Sequence, residues 1–332
     1  MTKHDIVKCS YEPAPLRNMS MHCRITRKMP RVSLALAMAL LWRVAAAASA
    51  AEATTPCSQR LLADIPPRIA GAPTGSEFAQ GVRDLSGAAR DRLVALQLLA
   101  GDIPQFLRHL VPVTLRGSSA GKPVSVTVCV LPDYLALGSN TDYLFVPMGL
   151  GTALEIAGKF GFVLPTPKVV DAIYGASAVK LAPQPLTPGE EMRSTPYLVY
   201  HTELINLQRA SWPAPLGALT GGDKKDLVLT ERLWRVPGRV AIYGWHRAAG
   251  EPIQPLSTVH GARYADYSHG VRLVSRTVYV NGIARRIESV LCDPALAPVL
   301  SREGPMPHLL ERLSALLTAL RSSAPPPANT LD

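Results

Sequence analysis

At 332 residues the chain is long enough for one large domain or two modest ones. Hydrophobic residues make up 47% and charged residues 18%, which excludes a disordered chain, and 30 prolines favour many defined turns over long uninterrupted helices. The formal charge is +10, but residues 1–51 hold eight Lys or Arg against two Asp or Glu, leaving only +4 on the remainder and no basic run. A nucleic-acid partner is therefore disfavoured.

The N-terminal segment accounts for that asymmetry. Arg24, Arg27, Lys28 and Arg31 precede the apolar run VSLALAMALLW, and small residues follow up to Ala53. This order reads as a secretory signal peptide over 1–51, and predicts an exported protein, periplasmic or extracellular. The run is well short of the ~20 apolar residues a bilayer needs. Arg43 also interrupts it, so no stable membrane anchor is expected after cleavage. Cys57, Cys129 and Cys292 remain, enough for one disulfide and a leftover thiol. Cys129, inside VSVTVCVL, reads as a small core residue.

Residues 52–75 read as a Pro/Gly-punctuated linker and 322–332 as a disordered tail. Between them a single α+β domain is expected over 76–321. Its helical part is 76–110, with Leu93, Leu96 and Leu99 on one apolar face. A mixed part over 111–210 starts with β-like runs at 111–117, 122–132 and 133–138. Then come a strand, YLFVPM, a helix over 151–159, and a second helix N-capped by Thr166 with Pro167 in its first position. STPYLVYHTELINLQRA is a third helix. The β-rich part is 224–290: DLVLTERLW and RVAIYGW read as strands, and Asn281-Gly282 marks a type I′ hairpin. Helices over 287–321 close the domain. This pattern predicts a mainly antiparallel sheet in the C-terminal half, with helices from the N-terminal half and the C-terminus packed on it.

The phrases FGFVLPTPKVVDAIY, GDKKDLVL, VAIYGWH and ADYSHGVRLV resemble stretches of an uncharacterised family of exported bacterial proteins. The likeness spans roughly residues 105 to 305 and implies export and one contiguous domain. It carries no activity.

The chemistry must then come from the residues. There is no G-x-S-x-G, no H-E-x-x-H, no phosphate-binding glycine loop and no C-x-x-C pair, so no cofactor is predicted. Outside the signal peptide stand His109, His201, His246, His260, His269 and His308, four of them between 201 and 269. The densest stretch is HGARYADYSHGVRLV, residues 260–274. His269 is the expected general acid or base, with Asp266 or Asp226 as orienting carboxylate and Tyr267 or an arginine stabilising negative charge. His246, His260 and Lys225 complete the expected catalytic set, and Trp245, Tyr264 and Arg272 the substrate-binding set. Zinc held by His260, Asp266 and His269 is an alternative. On a straight strand, though, His260 and Asp266 would stand about 20 Å apart, and Asp266 and His269 would face opposite sides. A joint site needs a bend. More ordinary roles are expected for Asp223 to Asp226 as a solvated turn, His201 as a surface or capped core residue, and Glu190 and Glu191 as surface charges.

Two functions fit. One is a hydrolase acting on a cell-envelope or extracellular polymer, peptidoglycan first, by His/Asp acid–base chemistry. The other is a non-catalytic glycan-binding or envelope-assembly module that uses Trp245, Tyr264 and Tyr267 as an aromatic platform.

Overall fold

The computed structural model describes residues 56–322. The expected signal peptide lies outside the described residues, as does the expected tail beyond Ser322, which ends the last helix.

The first helices are α1 (Gly75–Gly81) and α2 (Gly87–Leu99). A reciprocal capping box between Thr74 and Glu77 starts α1, so two amides at its N-terminus are satisfied locally. In α2 the buried stripe is Arg90, Asp91, Val94 and Leu98, while Leu96 is 64% exposed. The leucine face read from the sequence is thus rotated outward. The linker expected over 52–75 is instead tied down in its described part: Leu62 and Ile65 are buried, and Cys57 is disulfide-bonded to Cys129. Cys129 is fully buried, as a core residue should be, but it is also that cross-link. Among the described residues Cys292 is the free cysteine.

Strands β1 (Val111–Ser119) and β2 (Lys122–Val130) form a full-length antiparallel hairpin. Its two-residue turn places Ala120 and Gly121 at positive φ. A small antiparallel pair follows, β3 (Ala136–Gly138) with β4 (Tyr143–Phe145). Next come α3 (Leu150–Lys159), β5 (Phe162–Val163) and α4 (Pro167–Ala176). The Thr166 hydroxyl accepts from the Val169 amide and Pro167 opens α4, as the sequence predicts. Strand β6 (Val179–Lys180) pairs in parallel with β7 (Thr220–Gly221), and the long helix α5 (Thr195–Arg209) lies between them in sequence.

The remaining elements carry the site. They are β8 (Lys225–Leu227), the short α6 (Arg232–Arg235), β9 (Ile242–Ala248), β10 (Glu251–Ser257), β11 (His269–Gly270), β12 (Val274–Val280) and β13 (Ile283–Arg286). Helices α7 (Ile287–Cys292), α8 (Ala297–Leu300) and α9 (Leu309–Ser322) end the described chain. DLVLTERLW is therefore not one strand: β8 is three residues long, and its distal part turns into α6.

Two main sheets result. One has the order β1-β2-β12-β13, with β5 also on β12, and is antiparallel throughout. Asn281 and Gly282 both take positive φ at the β12–β13 turn, and the Asn281 side chain accepts from the Ser125 amide on β2. The other has the order β10-β9-β8-β11, in which only β8 and β11 run parallel. The fold is α+β with mainly antiparallel sheets. One contiguous cluster of buried side chains runs from Leu62 to Leu316.

Candidate functional site

HGARYADYSHGVRLV is not a strand. After His260 the chain turns at Gly261, where the Tyr264 amide donates to the Gly261 carbonyl. It turns again at Asp266, whose carbonyl accepts from the His269 amide. Only His269 and Gly270 join the second sheet, and Val274 onward belongs to the first. The bend that a joint site requires is thus built from two successive turns. His260 and His269 rings come within 6.2 Å of each other, centroid to centroid, where a straight strand would hold them far apart. Asp266 and His269 lie three residues apart on one turn, with Nε2 3.9 Å from Oδ2, so the opposite-face expectation fails.

Asp266 is held tightly. Its Oδ1 accepts from the Ser268 amide at 2.8 Å and the Ser268 hydroxyl at 2.6 Å, and its Oδ2 accepts from the Tyr264 hydroxyl at 3.0 Å. Burial alone would raise this carboxyl. The neighbouring His269, the Ser268 donors and the Lys225 charge outweigh burial and hold it below the ordinary carboxylate value. Ser268 is committed to this task, which argues against it as a nucleophile. His269 differs. It is 1% exposed, and among the described residues neither ring nitrogen has a hydrogen-bond partner. Burial pushes the imidazole down to about 4; Asp266 opposes the shift, and Lys225 adds to it. At neutral pH His269 is an uncharged base beside an ionised aspartate.

Over this pair sits an aromatic cap. The His260 and Tyr264 rings stack at 4.1 Å with 9° between planes, and Tyr264 meets the His269 ring edge-on at 5.7 Å. The cap backbone is fixed: the His260 carbonyl accepts from Val240, and the Ala262 amide donates to Gly238. The His260 and Tyr264 side chains are both partly exposed.

GDKKD is not a solvated turn. Asp223, Lys224 and Asp226 are all buried, and only Lys225 is partly exposed, with its ammonium 4.7 Å from the Trp245 ring centre. Lys224, expected in that solvated turn, donates to the Tyr267 carbonyl at 2.6 Å and contacts His201 Nδ1 at 2.9 Å. His201 Nε2 lies 3.1 Å from the Gln184 carbonyl, so this histidine is capped on both nitrogens. Burial and the Lys224 charge push it down to about 2. Burial also lowers Lys224, to about 8, against the pull of Asp223 and Asp266.

Beneath lies a knot around Arg272. The guanidinium donates to the Leu131 and Thr220 carbonyls and lies 4.3 Å from the Tyr134 ring centre. Asp133 and Asp226 each approach it at 3.9 Å, and Tyr134 donates to Asp226 at 2.8 Å. Burial pushes Asp226 up to about 7 against Arg272 and Tyr134. Burial and Asp223 together push Asp133 to about 7. Gly270 makes room for this knot, because a Cβ there would stand 2.4 Å from the Tyr134 ring. Arg272, expected at the substrate, is 1% exposed and faces carboxylates.

His246 lies on the Asp171 side of β9, away from His269. Gly244 and Trp245 both take positive φ, unusual for a tryptophan, and interrupt the alternation of β9. His246 therefore joins Tyr243 on Asp171: Nε2 and the Tyr243 hydroxyl both lie 2.8 Å from Asp171 Oδ1, and Arg302 takes Oδ2. Tyr174 stacks on the His246 ring at 4.7 Å. The three donors outweigh burial and hold Asp171 below the ordinary carboxylate value. Trp245 and Tyr267 are buried; the indole donates to the Asp223 carbonyl, and the Tyr267 hydroxyl contacts the Leu186 amide. The expected platform is therefore not a surface, and Tyr264 is its one partly exposed member.

Asp133, Tyr134 and Asp171 are the partners that sequence reading missed, and Lys224 the one it placed in solvent. DY at 133–134 between β-like runs and Asp171 beside Tyr174 were the available signals. Among the described residues no three His, Cys, Asp or Glu side chains are grouped so as to hold a metal ion. A cleft of about 410 Å³ lined by Ser76, Tyr143, Tyr200 and Asn206 holds none of the expected site residues. Comparison with protein-family models, with curated proteins and with solved structures finds no match.

Proposed function

We propose that this protein is an exported hydrolase acting on a cell-envelope or extracellular polymer, with peptidoglycan as the first substrate to test. The observation that carries the reading is His269: buried, neutral, unbonded at both ring nitrogens and beside the ionised Asp266. A buried polar group without a partner costs about 1–3 kcal/mol, a penalty expected where a residue is kept for chemistry. In the proposed reaction, the Tyr264 side chain swings away and releases Asp266 Oδ2. His269 takes a proton from water as the water oxygen bonds to the scissile centre, and Asp266 stabilises the resulting imidazolium. Lys225 offsets the negative charge that develops. The imidazolium then passes its proton to the leaving group as the scissile bond breaks. The leader and the Cys57–Cys129 bond support export.

The seal over the pair favours a second reading. His269 and Asp266 are 1% and 2% exposed, as expected of a binding or assembly module whose polar cluster is structural. Purified peptidoglycan incubated with the wild type and with His269→Ala separates the two. Soluble fragments from the wild type alone, with equal sedimentation of both proteins on the wall, support the hydrolase. Wall binding by both with no fragments from either supports the module.

A further inference from the structure

Backbone hydrogen bonds fix the turn that carries Asp266 and His269. The Asp266 carbonyl accepts from the His269 amide, the Tyr267 amide donates to the Met192 carbonyl, and the Ser268 carbonyl accepts from the Lys225 amide at 2.7 Å. The Ser268 amide donates to Asp266 Oδ1 at 2.8 Å. The Tyr267 carbonyl differs from these. It is held by a charged side chain, the Lys224 ammonium, at 2.6 Å.

Lys224 lies immediately before β8, is 1% exposed, and has its Nζ 5.4 Å from the Phe145 ring centre. An ammonium has only protons to give, so at the 2.9 Å contact His201 Nδ1 is the acceptor and Nε2 carries the proton toward the Gln184 carbonyl. A neutral donor would satisfy the Tyr267 carbonyl without the cost of desolvating an ammonium. What only the charge adds is polarisation. The Tyr267 carbonyl and the Ser268 amide are the two ends of one peptide group. A cation at the oxygen strengthens the N–H donor at the other end, and that N–H meets Asp266 Oδ1. Two hydrogen bonds and one peptide thus join the ammonium to the carboxylate. The same charge, with that of Lys225, opposes a proton on His269.

We propose that Lys224 is the positioning residue of the Asp266–His269 pair. Through the 267–268 peptide its ammonium keeps the Asp266 carboxylate ionised and aimed, and through its charge it keeps His269 a free base. Its effect on turnover rests on the hydrolase reading; its effect on the pair does not. The groups facing Lys224 are consistent with a retained charge. Asp133, Asp223 and Asp266 favour the ammonium, His201 and His269 are neutral, and Arg209 and Arg272 are drawn to Asp223.

Carbon and nitrogen NMR of the full chain tests this without reference to turnover. In the wild type the Lys224 Cε and the Ser268 amide should titrate together, with one midpoint at about 8. Lys224→Met keeps the length of the side chain and removes its charge. It should abolish the Ser268 step and raise the titrations of the Asp266 carboxyl and the His269 ring by about one pH unit each. A lysine that merely satisfies a carbonyl would leave both titrations unmoved. That result overturns the proposal, as does a Ser268 midpoint that departs from the Lys224 one. If Lys224→Met does not fold, the wild-type titration decides alone. On solubilised peptidoglycan the same variant should lower kcat at least tenfold with KM unchanged, and wild-type kcat would overturn the role in turnover. A wild type that releases no fragments sinks the hydrolase reading and leaves the NMR result to judge Lys224.

Discussion

Two histidines on the same small sheet, each 1% exposed and each near an aspartate, have opposite circumstances. His246 is bonded to Asp171 at 2.8 Å, stacked on Tyr174 and flanked by Tyr243. His269 stands 3.9 Å from Asp266 and is bonded by nothing described. The sheet produces the difference. In β8 and β11, Lys225 pairs with His269 and Asp226 with Gly270, so Lys225 shares a face with His269 while Asp226 faces Tyr134. The positive φ of Gly244 and Trp245 breaks the alternation of β9, and His246 lies on the Asp171 side. Proximity of a histidine to a carboxylate does not make a catalytic pair. What distinguishes His269 is that its nitrogens are held in place by packing alone and remain available.

The largest test of this contrast removes the floor common to both. Arg272→Met would leave Asp133 and Asp226 buried without their cation, and should cost about 3–5 kcal/mol in denaturant unfolding. A loss under 1 kcal/mol would mean that these carboxyls are already neutral and need no guanidinium. Next, the two histidines should part company. His269→Ala should reduce turnover of the envelope polymer by at least a hundredfold with little effect on stability, since no hydrogen bond is lost. His246→Ala should lower stability by about 1–3 kcal/mol, because it strips a partner from Asp171, and should lower turnover far less. Parallel losses in both assays for both variants would erase the distinction.

Gly270→Ala should cost about 1–3 kcal/mol, since the Tyr134 ring must shift away from Asp226 to admit a methyl group. Full stability in that variant would show that the knot is looser than drawn. The smallest effect is a pH trend. Asp133 has a folded value raised to about 7, so its contribution is full below the unfolded carboxylate value and is lost as pH rises through about 7. Asp133→Asn should therefore gain stability relative to the wild type between pH 4 and pH 7.5, measured by parallel denaturant melts. A constant difference across that range would place an ionised carboxylate at position 133. For the chemistry, a metal-free reaction predicts turnover unchanged by a chelator, whereas loss restored by zinc would move the account to the zinc alternative.

Features governed by neighbours in sequence were legible from it. Thr166-Pro167 starts α4, Asn281-Gly282 turns β12 into β13, and the antiparallel α+β class follows from such local signals. The suspicion attached to His269 and Asp266 also came from the sequence. What failed was alternation. It assumes an unbroken strand, and it was defeated by two turns between 261 and 269 and by the positive φ of Gly244 and Trp245 within β9. Partners brought in over long separations were out of reach as well. Tyr134 meets Asp226 across 92 residues, His246 meets Asp171 across 75, and Cys57 meets Cys129 across 72. Burial of GDKKD was hidden for the same reason: its counter-charges come from elsewhere in the chain.

The central claim is that His269 is held neutral and unbonded beside an ionised Asp266. Nitrogen-15 NMR of the histidine rings through a pH titration reads this directly. The account predicts that the His269 ring stays neutral until pH falls to about 4, with both nitrogens free of strong hydrogen bonds. A ring that takes its proton near 6.5, or that shows a strong Nε2–H bond to Asp266 at neutral pH, would contradict it.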